Sequence, residues 1–347
     1  MNPLVRGTLF GALSALAFGA SVPLLRFCGS DAGPWTTAAL LYAGAALVGF
    51  WSSRPVRREA PPRGAALARI AAAALLGAAL APALLAWGLQ RTSALDGSLA
   101  LAFESAATVL FAVVFLREHV GGRVIVAVVA TLGGAALLAL GNETQAGAIS
   151  IGTLSVVLAT GLWAADSTLT GSVAHLDPGR VTFWKCALGA SLSCAVAFVL
   201  HDRFPAAAHA IGLVLIGAVS YGLSLRWYLA AQRAFGAART ASIFALAPFA
   251  GALVALAFGE RGSAVTALAA FVLLLAVYLH ATERHGHEHL HPREHHEHAH
   301  VHDDAHHGHD HGDGVAANVP HSHEHEHDGQ VHVHPHGSDF HHAHKHD

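Results

Sequence analysis

Long apolar stretches alternate with short polar connections along most of this chain, and ten of them reach membrane-spanning length before residue 282. A helix needs about 20 apolar residues to cross a hydrocarbon core of about 30 Å. The stretches are apolar on every side, whereas strands of a membrane barrel alternate apolar and polar residues, so helices are predicted. Their predicted bounds are 7–27, 34–53, 66–89, 94–116, 121–141, 151–171, 179–200, 209–231, 238–259 and 263–281.

The second half of this series repeats the first at a shift of about 142 residues. Gln90-Arg91 recurs as Gln232-Arg233, and Glu118 recurs as Glu260 at the same shift. Each copy holds an odd number of spans, so the second copy enters the bilayer in the opposite orientation to the first. The predicted fold class is an all-α integral membrane protein with ten transmembrane helices, built from two inverted five-helix repeats over residues 1–141 and 142–281.

Composition agrees with a membrane protein, because 53% of the residues are hydrophobic and 12% are charged. Soluble domains have about 25% charged residues. The connections are too short for a catalytic domain outside the bilayer, so the chain is predicted not to be an enzyme. The sequence has no glycine loop followed by Lys and Ser or Thr, which argues against direct drive by ATP. The predicted partners are the lipid bilayer and a small solute, with no nucleic acid.

Positive charge is distributed unevenly between the two sets of connections. If the amino terminus is inside, thirteen Lys and Arg residues fall on inside connections and four on outside ones. Lys185, at the predicted start of the seventh span, is counted among the thirteen. The positive-inside rule then places both termini in the cytoplasm. The predicted location is a bacterial-type inner membrane, and the sequence leaves a homodimer open.

Two corresponding segments carry a family resemblance. Residues 236–248 read GAARTASIFALAP and are followed by an apolar run that ends at Gly259-Glu260. In the first half, residues 98–104 read SLALAFE and lead to a run that ends at Glu118. Both segments resemble the EamA branch of the drug/metabolite transporter superfamily. The resemblance implies ten spans, a central cavity between two halves, and export or exchange of small metabolites, amino acids or drugs, in some members by proton exchange.

One position departs from the family pattern. The shift of the repeat sets Ala106 over Pro248. Because proline breaks a helix and alanine does not, a helix break is predicted in the second half but not at this position of the first. The two halves are therefore expected to bend differently at the cavity.

Glu104 is the first candidate for a functional side chain. It lies about ten residues inside the fourth span, where an ionisable group costs several kcal/mol unless it faces protein or water. Its predicted role is to bind a proton or the amine of a substrate. The alternative is a structural ion pair between Glu104 and Arg226 that locks two helices together.

Other polar and aromatic residues complete the predicted substrate pathway. Arg226 could hold a carboxylate through two hydrogen bonds, or its side chain could extend to the inner membrane surface. Asp166 is a second acid for the cavity, unless it only packs with a serine and a water. Trp163 and Trp227 could line an amphipathic pocket or belong to the interfacial belt. Gln90, from the repeated Gln-Arg pair, is the last residue of the predicted pathway.

The region 282–347 differs from the rest, because it contains 24 of the 29 histidines. It has few apolar residues to drive folding, so a disordered cytoplasmic tail is predicted. Neutral imidazole binds zinc, nickel, cobalt and copper, and its affinity falls below about pH 6.5. The alternative is a solvated tether with incidental metal affinity, and no cofactor is required. The predicted ligands are His285, His287, His289, His291, His295, His296, His298, His300, His321, His323, His325 and His327.

These observations support one main functional hypothesis and two alternatives. The main hypothesis is a secondary transporter that exports a small organic metabolite or drug by alternating access, with possible proton coupling and a metal-binding regulatory tail. The first alternative is an exporter of divalent zinc, nickel or cobalt, although a metal path needs several deep ligands and the spans have only two deep acids, Glu104 and Asp166. The second, a membrane metal sensor, would need a signalling domain.

Overall fold

Ten helical spans form the body of the protein. The structure is a computed structural model that describes residues 3–52, 64–111, 113–114, 121–140, 150–171, 173, 178–235, 240, 243–282, 285–290, 294–300, 321–327 and 331–336. Spans 1, 2, 5, 6, 7 and 10 are single helices, with bounds Pro3–Cys28, Pro34–Ser52, Gly122–Leu140, Ile151–Gly171, Pro178–Val199 and Ala264–Ala281. Glu118 and His291 lie outside the described residues.

The interrupted spans occupy equivalent places in the two halves. Span 3 consists of an α-helix Ala65–Ala73, a π-helix Ala74–Leu80 and an α-helix Ala81–Leu89. Span 8 has the same three parts, Ala207–Ile216, Gly217–Leu223 and Ser224–Phe235. Span 4 consists of Ala94–Ala100 and Phe103–Phe111, and its counterpart, span 9, contains Ala247–Ala257.

Packing between the spans shows the same symmetry. Span 1 packs against spans 8 and 9, and its counterpart, span 6, packs against spans 3 and 4. Span 2 packs against its own counterpart in the second half, span 7, and span 5 packs against its counterpart, span 10. Swapping the halves therefore reproduces the same neighbours. The prediction of two inverted five-helix repeats is confirmed.

The prediction of a helix break in only one half is wrong. Span 4 turns at Leu101 and Ala102, between its two helices, although no proline is present there. The backbone N–H groups of Leu101 and Ala102 donate to carbonyls three residues back, those of Ser98 and Leu99, at 3.2 and 3.0 Å. Tight bonds of this 3₁₀ type satisfy the carbonyls at a helix end, so the break needs no proline. In span 9 a turn at Ala245 and Leu246 likewise precedes the helix Ala247–Ala257, so both halves are interrupted near the same depth.

The outer surface of the bundle is apolar. Phe198 is 83% exposed, Leu253 67% and Phe271 65%. An apolar surface of this kind is unfavourable in water and suits lipid. Six helices in the described part of the chain are long and apolar enough to cross a membrane, and Ala247–Ala257 and Ala264–Leu279 are shorter apolar helices. The integral membrane class is confirmed.

Small residues bring the spans close together inside the bundle. A side chain added at Gly44 in span 2 would collide with the backbone of Val214 in span 8. One added at Gly217, the first π-helical residue of span 8, would collide with the backbone of Leu41 in span 2. Close approach through small residues is a usual basis of helix packing in lipid. These contacts join the two halves beside a π-helix.

The histidine-rich tail is a separate compact unit that begins at Arg284. The composition predicts a disordered tail, whereas the structure has four strands here: β1 His285–Leu290, β2 Glu294–His300, β3 His321–His327 and β4 Val331–His336. β1 pairs with β4 and β2 with β3, both antiparallel. Backbone hydrogen bonds between strands form without an apolar core, and composition does not predict them. Of the predicted metal ligands, His291 lies outside the described residues and the other eleven lie on β1, β2 and β3.

Candidate functional site

A buried ion pair lies between spans 6 and 7. The Nζ of Lys185 donates to Oδ2 of Asp166 at 2.5 Å, and the side chains are 16% and 6% exposed. Thr170, one helical turn further along span 6, donates to Oδ1 of Asp166 at 3.1 Å. The carboxylate fits against span 3 because residue 77 is glycine, and an added Cβ there would overlap it. Both oxygens of Asp166 are thus satisfied within the second half of the protein and one packs against the first.

Glu104 belongs to the other half and lies beside this pair. It follows the break of span 4, and its backbone N–H donates to the carbonyl of Leu101 at 3.0 Å. Its side chain is half-buried, and Asp166 and Lys185 are the charged groups near it among the described residues. No hydrogen bond or ion pair of its carboxylate is found within the described part of the chain. The cation beside Glu104 is Lys185, so the predicted lock between Glu104 and Arg226 does not form.

Aromatic rings from five spans meet next to these charges, and together they are called the aromatic cluster. Its members are Phe18, Tyr42, Trp163, Tyr221 and Phe244. The ring of Phe18 lies 6.0 Å from that of Trp163, 5.6 Å from Tyr221 and 5.4 Å from Phe244. Tyr42 lies 5.5 Å from Tyr221. The cluster contains residues of both halves, so it lies on the surface along which the halves meet.

The π-helix of span 3 holds two members of the cluster in place. The hydroxyl of Tyr42 and the Nε1 of Trp163 both donate to the carbonyl of Gly77, at 2.6 and 2.9 Å. A π-helix disturbs the regular i to i−4 bonding of an α-helix, and such segments are frequent at functional sites. The carbonyl of Gly77 is thereby available to side chains. Gly77 serves the site twice, through this carbonyl and through the space that it leaves for Asp166.

The hydroxyl of Tyr221 is buried and has no hydrogen-bond partner among the described residues. Its side chain is on the π-helix of span 8, and the charge of Glu104 acts on it. Ser21 is also near, but its hydroxyl donates to the carbonyl of Phe18 at 2.6 Å and does not reach hydrogen-bond geometry with Tyr221. An unsatisfied buried hydroxyl costs about 1–3 kcal/mol. This hydroxyl is therefore available to a bound molecule.

The other predicted pathway residues have no described contact with this cluster. The side chain of Arg226 is exposed, and that of Trp227 is half-buried outside the described ring pairs. Both follow the π-helix of span 8, so a helical wheel with uniform α geometry places them at the wrong angle. The amide of Gln90 donates to the carbonyls of Gly29 and Ala32, both at 2.9 Å, and holds the connection after span 1.

Lys185, Tyr42 and Tyr221 belong to the site but were not predicted. Lys185 lies seven residues after the start of span 7, about 10 Å along the helix axis. Its position near the predicted start of span 7 favours a place among the charges of the inside connections. The signal in the sequence for an ion pair was the opposite charge of Lys185 and Asp166, both of which lie inside predicted spans. The two tyrosines carried no signal that separates them from interfacial tyrosines.

Three carboxylates lie at one end of the bundle, the end at which the odd-numbered spans finish. This end is called the far end. Glu260 accepts from the backbone N–H of Ala94 and Leu95 at 3.1 and 2.8 Å, and its Oε1 lies 3.6 Å from the Nε of Arg26. Asp202 accepts from the N–H of Trp35 and Thr36 at 2.8 and 3.1 Å. Each carboxylate thus binds the positive start of a helix in the other half.

Asp31 is the third of these carboxylates. It accepts from the backbone N–H of Ala206 at 3.0 Å and lies 2.7 Å from the Nδ1 of His209, where span 8 begins. The N–H of Ala206, and then the imidazole of His209, hold the pKa of the Asp31 carboxyl below its ordinary value. Contacts between the two halves at the far end are thus polar and directed at helix starts.

Comparison with known proteins agrees with the fold. A solved structure titled "Crystal structure of protein" is similar with a TM-score of 0.57 and 17% sequence identity, and the match covers 79% of this chain and 94% of that chain. The comparison with curated proteins finds no match. The sequence profile of the EamA-like transporter family matches residues 5–140 and 150–282, one match for each five-helix repeat. This chain therefore belongs to the EamA-like transporter family, the EamA branch of the drug/metabolite transporter superfamily.

Proposed function

We propose that this protein exports a small organic solute by alternating access between its two halves, with a proton carried on Glu104. The observation that carries the proposal is the position of the Glu104 carboxylate, unpaired among the described residues, beside the satisfied Asp166–Lys185 pair. A lone ionisable group inside a membrane protein is unfavourable unless it serves a pathway. Protonation and deprotonation of Glu104 then couple solute movement to the proton gradient.

The aromatic cluster supplies the walls of the proposed solute site. Trp163 retains its predicted place in the pathway, and Tyr42 and Tyr221 join it. Asp166 and Lys185 hold spans 6 and 7 in register next to the solute. Arg226, Trp227 and Gln90 have no described contact with the cluster, so the proposed site does not include them.

The proposed orientation puts both termini in the cytoplasm of a bacterial-type cell and the far end outside the inner membrane. Lys185 lies inside span 7, so the inside count of positive residues falls to twelve against four outside, and the direction of the bias stays the same. The carboxylate caps then close the outer entrance. Reporter fusions to the carboxyl terminus test the orientation, and activity of a periplasmic reporter there would refute it.

The tail is proposed to bind divalent zinc, nickel, cobalt or copper and to regulate the carrier. Support comes from its composition, because the tail contains 24 of the 29 histidines and neutral imidazole is a ligand of all four metals. In the strand register His285 pairs with His336, His287 with His334 and His289 with His332.

An exporter of divalent metal is the second candidate, and the tail is the observation that favours it. Against it, no group of three His, Cys, Asp or Glu side chains in the described ranges is placed to hold a metal ion. A metal path needs several ligands together. Export of an organic solute is therefore the better-supported function.

The test compares a deletion strain with strains carrying the wild type or Glu104→Gln. Metabolites and metals are measured in the same cells, with protein level and membrane insertion checked for each variant. The expected result is accumulation of one or a few organic solutes in the deletion strain and in Glu104→Gln, with unchanged metal content. Accumulation of zinc, nickel or cobalt without any metabolite would refute the proposal.

A further inference from the structure

An open groove runs along the outer surface of the bundle between spans 2 and 7. Its volume is about 230 Å³, and its walls come from these two spans and from the connection that follows span 7. Most of the side chains in the walls are apolar, and one is a carboxylate. The lining residues are Thr36, Ala39, Leu40, Cys194, Ala197, Phe198, Asp202 and Phe204. Spans 2 and 7 belong to different halves of the protein, so an occupant of the groove contacts both halves.

The groove has a polar end and an apolar end. Asp202 lies just beyond the end of span 7 at Val199, where its carboxylate caps span 2 at the far end. Cys194 lies five residues before Val199, about 7.5 Å along the helix axis. Phe198, between the two, is exposed on the outer surface. The groove therefore begins at the membrane surface and continues inward beside the acyl chains.

The polar end presents a positive charge. Asp202 accepts from the backbone N–H groups of Trp35 and Thr36, and a helix start carries about half a unit of positive charge, so the carboxylate is partly neutralised. The next residue, Arg203, is exposed, and its carbonyl accepts from the N–H of Gly33 at 2.8 Å. No ion pair of its guanidinium is found in the described part of the chain. This guanidinium can therefore bind an anion at the membrane surface.

These properties match those of a phospholipid. The groove opens on the lipid-exposed surface, so an acyl chain can enter it directly from the bilayer. A chain inside the groove makes dispersion contacts with both walls, whereas a chain outside contacts only the rim. The phosphate of the same molecule lies at the membrane surface, and a guanidinium binds phosphate through two parallel hydrogen bonds.

We infer that the groove binds one phospholipid, with its phosphate at Arg203 and one acyl chain between spans 2 and 7. The lipid contacts both halves beside the bond from Asp202 to span 2. It therefore stabilises the arrangement of the halves in which these two spans meet. The groove shares no residue with the central site, which consists of the aromatic cluster, Glu104 and the Asp166–Lys185 pair. The inference is thus independent of the exported solute.

Native mass spectrometry of the purified full-length protein in detergent tests the inference. Dioleoylphosphatidylglycerol and dioleoylglycerol have the same acyl chains, and only the first has a phosphate. A chelator keeps metal on the tail from binding that phosphate. The wild type is expected to bind one phosphatidylglycerol and to bind dioleoylglycerol at least about fivefold more weakly, the effect of one arginine near an anionic surface. Phosphatidylglycerol is also expected to slow alkylation of Cys194, an exposed free cysteine of the groove.

Two variants, each with a matched control, locate the bound lipid. Ala197→Trp fills the groove and is expected to abolish phosphatidylglycerol binding, whereas Ala195→Trp, on the exposed surface of span 7 outside the groove, leaves it unchanged. Arg203→Gln is expected to weaken phosphatidylglycerol binding about fivefold. Arg261→Gln removes another exposed arginine of the far end and leaves the binding unchanged.

Three results would overturn the inference. The first is equal binding of the two lipids by the wild type. The second is unchanged phosphatidylglycerol binding in folded Ala197→Trp or in Arg203→Gln. The third is a dimer that Ala197→Trp prevents, which would assign the groove to a second copy of the chain. Arg203→Gln changes only an exposed connection, so the test remains decisive if Ala197→Trp fails to fold.

Discussion

The Nζ of Lys185 lies 2.5 Å from Oδ2 of Asp166, and this contact joins spans 6 and 7 within the second half of the protein. Glu104 approaches the pair from the first half. The charged centre of the protein therefore consists of a fixed pair on one side and a single acid on the other. In the proposed alternating access, movement between the halves would change the surroundings of Glu104 and leave the pair intact.

Breaking this pair is expected to destabilise the protein strongly. Lys185→Met leaves Asp166 buried without its cation, and loss of one partner of a buried pair costs about 3–5 kcal/mol. Thr170→Val removes only a neutral donor and is expected to cost about 1 kcal/mol. Unfolding of the purified variants in mixed detergent measures both free energies. Equal costs for the two variants would contradict a buried ion pair.

Glycine at position 77 is expected to be essential for placement of Asp166. Gly77→Ala adds a Cβ that overlaps the carboxylate, and overpacking of this kind costs about 1–3 kcal/mol. Gly133→Ala is the matched control, because nothing lies within 4 Å of its added Cβ. Thermal unfolding in detergent is expected to show a loss for Gly77→Ala and none for Gly133→Ala. A neutral Gly77→Ala would show that Asp166 can lie elsewhere.

Glu260→Gln is expected to open the far end more often. The variant removes the charge from hydrogen bonds to Ala94 and Leu95, and bonds to a charged group contribute about 1.5–3 kcal/mol. Ser98→Cys, in a chain whose three native cysteines are changed to serine, reports opening because Ser98 is fully buried. Its alkylation is expected to be about tenfold faster with Glu260→Gln. Glu260→Asp, which keeps the charge, tests whether charge or length matters, and an unchanged rate in Glu260→Gln would exclude a closing role.

Stability is expected to fall in acid because of Asp31. Its pKa is lowered in the folded protein, so its contribution is present above the unfolded value of about 3.9 and is lost as pH falls through the folded value. Melting temperatures of the wild type and Asp31→Asn, measured from pH 6 to pH 3, are expected to converge below about pH 4. A constant difference across this range would show that ionised Asp31 contributes nothing.

Removal of the tail is expected to separate metal binding from transport. A chain truncated after Ala281 keeps all ten spans and the central site. Export measured in the deletion strain is expected to be retained and to lose any response to added zinc, nickel, cobalt or copper. Retained metal binding in the purified truncated protein would place a metal site in the bundle instead.

The sequence was sufficient to predict the ten spans and their inversion. Span 6 begins and ends at the predicted residues, Ile151 and Gly171. An apolar run of membrane length is a strong signal because lipid requires both its length and its composition. The residue pattern did not predict the break in span 4, because the break depends on backbone hydrogen bonds of Leu101 and Ala102 and not on a particular residue type.

Prediction of the site was less complete. Glu104, Asp166 and Trp163 lie near one another where the halves meet, whereas the side chain of Arg226 is exposed and Gln90 binds the connection after span 1. Depth in the bilayer can be counted along a sequence, but the direction in which a side chain points depends on helix phase and packing. The π-helices of spans 3 and 8 change that phase, and no residue pattern in the chain predicts these π-helices.

The paired π-helices decide where spans 3 and 8 tolerate a change of length. The two segments, Ala74–Leu80 and Gly217–Leu223, each have seven residues. Loss of one residue from either would let it relax to regular α geometry, because a π-helix absorbs an extra residue within an α-helix. Later side chains would keep their direction, but in span 3 the carbonyl of Gly77 would no longer be free for Tyr42 and Trp163. A single-codon deletion in the α-helical parts of the same spans would instead turn every later side chain by about 100° around the helix axis.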